Sequence, residues 1–451
     1  MEIREGHIQG LIEASAPSTG AVFSILEKAG SGKGLSLEEA AALLNVTDPA
    51  LLGEIYEKAG SIKERVFGKR IVLFAPLYLS NYCSNGCVYC GFRSSNKDAV
   101  RKALDEQGVV AEARALEDMG FKRLLLVTGE DPQRGLDYII ASIRAIYRST
   151  GIRIVHVNCP PMDIDGLREL KKAGAGVYQS FQETYHRKSY EEAHPYGAKK
   201  DYQHRLDCMD RAFEAGFEDV GIGPLFGLYD FRFDALATIA HSKHLYKRYG
   251  AHAHTISIPR LRPASGWLLN KVPYPVSDEE IKKTVAVFRL SVPAAGVVVS
   301  TREEAGLRNT LMHAGASQMS AASSTSPGNY SERDSSVEQF ETSDKRSLAD
   351  VIQSIVEEGF LPSLCTSCYR TGRVGREFTE KTAAGDMSKF CQANAILTLR
   401  EYIYGSCKNG AKDMLEKAVL AALAEVKDQS MKKAIEEKLK KLEQGQRDIY
   451  F

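Results

Sequence analysis

The chain of 451 residues predicts an α/β protein, a (β/α)8 barrel of the TIM type with helices before it and a helical domain after it. Three observations carry this reading. Short apolar, β-branched runs bounded by Gly, Pro, Asn or Ser alternate with amphipathic stretches, the mark of parallel strands joined by helical crossovers. Eight such units fall within roughly 250 residues, the size of one closed barrel. Outside them the patterning is helical. A doubly wound open sheet stays as the alternative, since periodicity does not show closure.

The candidate strands are Ile71–Leu79, Arg123–Thr128, Arg153–Asn158, Gly176–Phe181, Asp219–Leu225, Ala253–Ile258, Gly296–Ser300 and Gln318–Ala321. Helical patterns between them include Val109–Met119, Leu136–Tyr147, Ile164–Ala173, Tyr202–Ala215 and Asp278–Leu290. Residues 1–65 read as a helical segment, with Ser36 and Glu39 spaced as a capping box. The barrel is expected over 66–344. Its last part, Ser323–Asp344, is rich in Ser, Gly and charge and reads as a loop or linker. Residues 345–451 lose strand character and form the C-terminal helical domain, and the Lys- and Glu-rich stretch Ala411–Gln444 reads as solvated helix.

Lys and Arg number 59 against 58 Asp and Glu, a balance that argues against a dedicated nucleic-acid or anionic-membrane surface. No apolar run approaches the ~20 residues needed to cross a bilayer, and the N-terminus lacks a signal-peptide core. The expected compartment is the cytoplasm. There, clustered thiols point to metal or redox work rather than disulfides.

Six of the nine cysteines form two trios. Cys83, Cys87 and Cys90 follow the first strand directly, at the carboxyl end of the barrel where such folds place their chemistry. Three thiolates in a tight loop suit three irons of a 4Fe–4S cluster, leaving the fourth open. A structural zinc site is the alternative, completed by a His from elsewhere. Cys365, Cys368 and Cys391 form the second trio, in a region without histidine. A second open 4Fe–4S cluster or a four-thiolate zinc site recruiting Cys407 would both use it. Cys159 and Cys208 read as buried, inert thiols.

The C-x3-C-x2-C spacing, with Tyr89 before the last cysteine, resembles the radical S-adenosylmethionine superfamily. That resemblance implies that the open iron chelates S-adenosylmethionine and that reductive cleavage gives a 5′-deoxyadenosyl radical. It also assigns cofactor contacts to Tyr89, Gly129, Glu130, Asn158, Gln182, Glu183, Arg205 and Ile222. Glu130 would accept the methionine amino group, and Arg205 would grip its carboxylate. Around Ile222, small strand residues would admit the adenine.

The C-x2-C-x22-C trio narrows the resemblance to the tyrosine lyases of FeFe-hydrogenase maturation. The stretches Leu77–Asn81, Gln182–His186, Gly221–Gly223, Gly227–Asp230, His254–Ser257, Ser300–Glu303, Met319–Ala321 and Cys365–Arg376 are similar to that family, over roughly residues 70–405. The implied reaction cleaves L-tyrosine at Cα–Cβ to p-cresol and dehydroglycine. The second cluster, carrying an additional iron, then turns dehydroglycine into CO and cyanide. The product is an Fe–CO–CN synthon for the hydrogenase H-cluster.

Arg302 would clamp the tyrosine carboxylate, with Ser300, Ser320 and Ser323 assisting. His254, at the start of the sixth strand and so at the opposite mouth, would bind the additional iron. His252, two residues away, is its rival. Two sites at opposite mouths require an internal channel. Implied partners are L-tyrosine, free cysteine bridging the additional iron, other hydrogenase maturation proteins, and a reductant such as ferredoxin or flavodoxin. Two departures stand out: Ser320–Tyr330 carries Ala and Asn where the family tends to Gly, and Ala-His-Ala precedes His254 where Gly and Pro are common. The alternatives are the 2-iminoacetate (dehydroglycine) synthase of thiamine thiazole synthesis, which lacks the second trio, and a non-catalytic iron–sulfur scaffold.

Overall fold

The computed structural model describes residues 1–332, 338–407 and 410–451. Eight parallel strands close on one another: β1 (Arg70–Ser80), β2 (Arg123–Thr128), β3 (Ile154–Asn158), β4 (Ala175–Gln179), β5 (Val220–Ile222), β6 (Thr255–Ser257), β7 (Gly296–Val299) and β8 (Gln318–Ser320). Closure comes through β1, which pairs with β2 over residues 75–80 and with β8 over residues 72–74. All eight strands fall within the expected segments, to within a few residues at each end.

The expected helix Tyr202–Ala215 is instead two short helices, Tyr202–Leu206 and Cys208–Glu214, interrupted at Asp207. Two helices unread in the sequence, Phe231–Tyr249 and Ala305–His313, complete the outer ring. The C-terminal part of the chain also differs from expectation. Its Leu361–Ser363 forms a ninth strand, β9, pairing in parallel with residues 70–72 of β1. The trio-bearing segment is thereby bonded into the sheet at the amino end of the barrel. The charged stretch forms helices Lys412–Ala424 and Gln429–Glu443, each burying one apolar stripe, for example Ile435, Leu439 and Leu442.

The N-terminal helices are capped as their sequence suggests. Ser36 Oγ accepts from Glu39 N (3.2 Å) while Glu39 Oε2 accepts from Ser36 N (2.7 Å). The helix Pro49–Phe67 packs on the barrel helix Asp278–Ser291.

Residues 323–332 and 338–344 are irregular but not a free linker; residues 333–337 of that stretch lie outside the described residues. They fold back over the carboxyl mouth. Tyr330 Oη donates to Pro76 O (2.8 Å), Thr325 Oγ1 to Phe340 O (2.9 Å) and Gly91 N to Gln339 O (3.1 Å). At the end of the stretch, Asp344 is buried in an ion pair with Arg308. No described helix is long and apolar enough to cross a membrane.

Candidate active site

Because side chains alternate along a strand, every second residue of each strand enters the lumen. Here those positions are not packed shut. Arg123, Leu125 and Val127 of β2, His156 and Asn158 of β3, and Gln318 and Ser320 of β8 line a chamber of about 220 Å³. It runs from the carboxyl mouth down to Arg123, Gln318 and Tyr369.

The first trio sits at the mouth, with Cys83, Cys87 and Cys90 all lining the chamber. The loop is held by the end of β2. Ser84 N and Oγ both donate to Glu130 O (2.8 and 2.9 Å), and Asn85 Nδ2 donates to Glu130 Oε2 (2.6 Å). Gly129 makes this contact possible, since a Cβ there would lie 2.1 Å from Tyr82 O. On the other side, Val88 N donates to Ala193 O (3.1 Å), and the Tyr89 hydroxyl meets His194 Nε2 (2.9 Å).

Burial pushes the Cys87 thiol up to about 12 and the Cys90 thiol to about 11. A positive group beside Cys87 and Cys90 is therefore needed to keep these two as thiolates at neutral pH. An iron cluster meets that need, and the donor set leaves room for an exogenous ligand.

Around the trio stand Glu130, Asn158, Glu183 and Arg205. Arg205 is buried, with Nη1 donating to Ser180 Oγ (2.8 Å), Nη2 3.4 Å from Glu130 Oε2, and Nε without a partner. Arg205 lines the chamber, and its guanidinium suits an anionic ligand such as a carboxylate. Glu183 takes a left-handed backbone (φ 69°) and forms an ion pair with Lys199, which also lines the chamber. Gln182 and Ile222, expected as cofactor contacts, do not line it. The Gln182 amide turns toward Tyr202 O (3.5 Å). The neighbours a Gly221 Cβ would meet, Gln179 and Thr255, are lumen residues, so Ile222 points outward into the packed core.

Ser300, Arg302, Ser320 and Ser323 line the opposite wall. The Arg302 guanidinium lies over the Phe340 ring (3.3 Å), and burial pushes it down to about 10, so it remains charged at neutral pH. Ser320 Oγ accepts from Thr301 N (3.3 Å), and Ser323 Oγ is buried without a partner. Arg302 and Ser323 thus offer a charge and a hydroxyl to a polar guest.

The second trio lies at the amino end of the barrel. Cys365, Cys368, Cys391 and His254 line one chamber of about 40 Å³, together with Arg70, Phe390 and Asn394. Arg123, Gln318 and Tyr369 line both chambers. Burial pushes the Cys368 thiol up to about 12 and raises Cys365, against the opposing pull of the Arg70 guanidinium in the same chamber. His254 Nε2 is 3.0 Å from the Tyr369 hydroxyl. His252 lies outside this chamber: its ring stacks on Tyr246 (4.4 Å) and meets Ser242 Oγ (3.2 Å). Both it and His254 precede β6, so strand alternation does not put the two on one face. Cys407 lines neither chamber, whereas Cys159 lines the mouth chamber. Among the described residues no three His, Cys, Asp or Glu side chains converge to hold a single metal ion.

Sequence reasoning missed Lys199, Gln339, Phe340 and Tyr369. Arg123, His156 and Gln318 did carry a signal, being polar side chains at lumen-facing positions of otherwise apolar strands.

Residues 77–239 match the radical SAM superfamily model, and residues 257–361 match the Biotin and Thiamin Synthesis associated domain. Escherichia coli (strain K12) 2-iminoacetate synthase is 33% identical over 340 residues, spanning 75% of this chain and 89% of that protein. A crystal structure of HydG, a maturase of the [FeFe]-hydrogenase, superposes with a TM-score of 0.97 at 44% identity, covering 100% of this chain and 99% of that one. The HydG structure from Carboxydothermus hydrogenoformans gives 0.83 at 37% identity, over 97% and 100%.

Proposed function

Because the chain belongs to the radical SAM superfamily, and within it to the HydG-type maturases, we propose that it cleaves L-tyrosine and builds an Fe–CO–CN synthon for the hydrogenase H-cluster. Tyrosine is cut at Cα–Cβ in the mouth chamber, releasing p-cresol and leaving dehydroglycine. The latter becomes CO and cyanide in the rear chamber, on iron carried as cargo.

Cys83, Cys87 and Cys90 would hold a 4Fe–4S cluster, and Cys365, Cys368 and Cys391 a second. With S-adenosylmethionine bound, the first supplies a 5′-deoxyadenosyl radical that abstracts hydrogen from the substrate amine. Arg205 and Glu130 anchor the methionine end through its carboxylate and amino group, with Tyr89, Gly129, Asn158 and Glu183 shaping the pocket. Arg302 holds the tyrosine carboxylate, Ser323 and Ser320 add hydrogen bonds, and the 323–344 segment keeps water from the mouth. His254 would hold the cargo iron through Nε2, and free cysteine would be a further ligand to it. A ferredoxin or flavodoxin would supply electrons, and other maturation proteins would accept the product.

The observation that carries this reading is the meeting of the second trio and His254 in one chamber that shares three wall residues with the first. The runner-up, a 2-iminoacetate synthase releasing dehydroglycine, is favoured by the identity to the E. coli enzyme, which spans 75% of this chain. Anaerobic incubation of reduced, reconstituted protein with S-adenosylmethionine and tyrosine separates the readings. Cresol with CO and cyanide supports the proposal. Cresol with glyoxylate alone supports the runner-up, and no cresol leaves a scaffold.

A further inference from the structure

We propose that Asp219 and Tyr369 are positioning residues for His254. Asp219 fixes the tautomer that leaves Nε2 as donor, and Tyr369 caps that atom until the cargo iron displaces it. The inference rests on the reading of His254 as the iron ligand given above.

The His254 ring is buried at 8% exposure, tilted against Phe378 (4.9 Å) and Tyr369 (5.5 Å). Its Nδ1 lies 3.2 Å from Asp219 Oδ1, though off the hydrogen-bond direction. Asp219 is itself 2% exposed; Oδ1 accepts from Gly375 N (2.9 Å) and Oδ2 has no hydrogen-bond partner. This carboxylate is the anionic group beside the buried Nδ1. A carboxylate beside one imidazole nitrogen keeps the proton there and leaves the lone pair on the other, as in carboxylate–histidine–metal arrangements.

On that other side the Tyr369 hydroxyl is 3.0 Å from Nε2. With the proton on Nδ1, the hydroxyl donates and Nε2 accepts. One lone pair serves one acceptor bond, so the hydroxyl and an iron exclude each other. Tyr369 directly follows Cys368, and its ring rests on His156 (4.7 Å), so it has a contact on the lumen side to retain when the hydroxyl yields.

The test uses the full chain with both clusters rebuilt, titrated anaerobically with ferrous iron and read as iron bound per acid-labile sulfide. Tyr369→Phe removes the competing donor and keeps the ring. It is expected to tighten iron binding roughly three- to tenfold, the factor for one buried hydrogen bond. Asp219→Asn keeps an oxygen for Gly375 N but no longer fixes the tautomer, and should weaken binding roughly 10- to 100-fold. Structural damage does not tighten affinity, so the tyrosine variant separates positioning from folding. It also decides alone if Asp219→Asn fails to hold sulfide.

Affinity within twofold of the unaltered chain in Tyr369→Phe overturns the proposed cap. The same result in a sulfide-replete Asp219→Asn overturns the tautomer role. His254→Ala tests the underlying reading separately: if it still binds the further iron, the ligand assignment itself fails.

Discussion

Replacing Gly129 with alanine tests how the cluster loop is held. A Cβ at this position would sit 2.1 Å from Tyr82 O, 3.0 Å from Tyr82 C and 3.1 Å from Cys83 Cβ. The obstacle is backbone, which cannot swing aside as a long side chain does, so the chains must part by about 1 Å. That movement pulls against Gly129 N to Ser80 O (3.1 Å), Ser84 N to Glu130 O (2.8 Å) and Asn85 Nδ2 to Glu130 Oε2 (2.6 Å).

Overpacking of this kind costs about 1–3 kcal/mol of stability. Displacing Cys83 and Glu130 by about 1 Å relative to the substrate should lower turnover roughly 100-fold. Gly53, inside the helix Pro49–Phe67 with nothing within 4 Å of its would-be Cβ, is the control. Gly53→Ala should be neutral or stabilise by up to about 1 kcal/mol. The assay is initial cresol release, alongside sulfide content and the denaturation midpoint of each variant. Cresol release by Gly129→Ala within twofold of the unaltered chain, with sulfide retained, refutes the close-approach argument.

Three further outcomes follow from the geometry. A Cys365→Ala, Cys368→Ala pair should keep cresol formation and abolish CO and cyanide, and retained CO contradicts two separate chambers of chemistry. Arg302→Lys forfeits the planar two-pronged donor and the contact with Phe340, so the KM for tyrosine should rise roughly 10- to 100-fold; an unchanged KM removes Arg302 from carboxylate binding. His241 is buried against the Tyr185 hydroxyl, and burial pushes it down from 6.5 to about 4. The unfolded chain then binds more protons, so stability falls as pH drops below 6.5, by about 2 kcal/mol at pH 5. His241→Gln should flatten that part of the pH dependence of the denaturation midpoint, and an identical slope in both proteins disproves the assignment.

Much of this architecture is legible in the sequence because strand and helix periods are local properties. Arg123–Thr128 coincides with β2, and the remaining strands differ only at their ends. The cysteine trios are equally plain, since their spacing restricts what clustered thiols do. Three-dimensional adjacency is not encoded this way. That Ile222 faces outward depends on strand register, and that Gln182 turns away depends on the left-handed bend at Glu183. The 323–344 segment reads as a linker because its polarity is real. Its packing rests on backbone hydrogen bonds and a few side chains such as Phe340 and Asp344, which hydropathy averages away. The pairing of β9 with β1 is likewise invisible in a three-residue run containing proline.

The three residues common to both chambers come from distant parts of the chain: Arg123 opens β2, Gln318 opens β8, and Tyr369 lies in the short helix Ser367–Arg370. Arg123 Nη2 donates to Gln318 Oε1 (3.0 Å), which ties two of them together. A substitution at any one therefore alters the wall of both chambers at once. A graft of residues 345–451 from a relative would have to meet residues 123 and 318 at that wall.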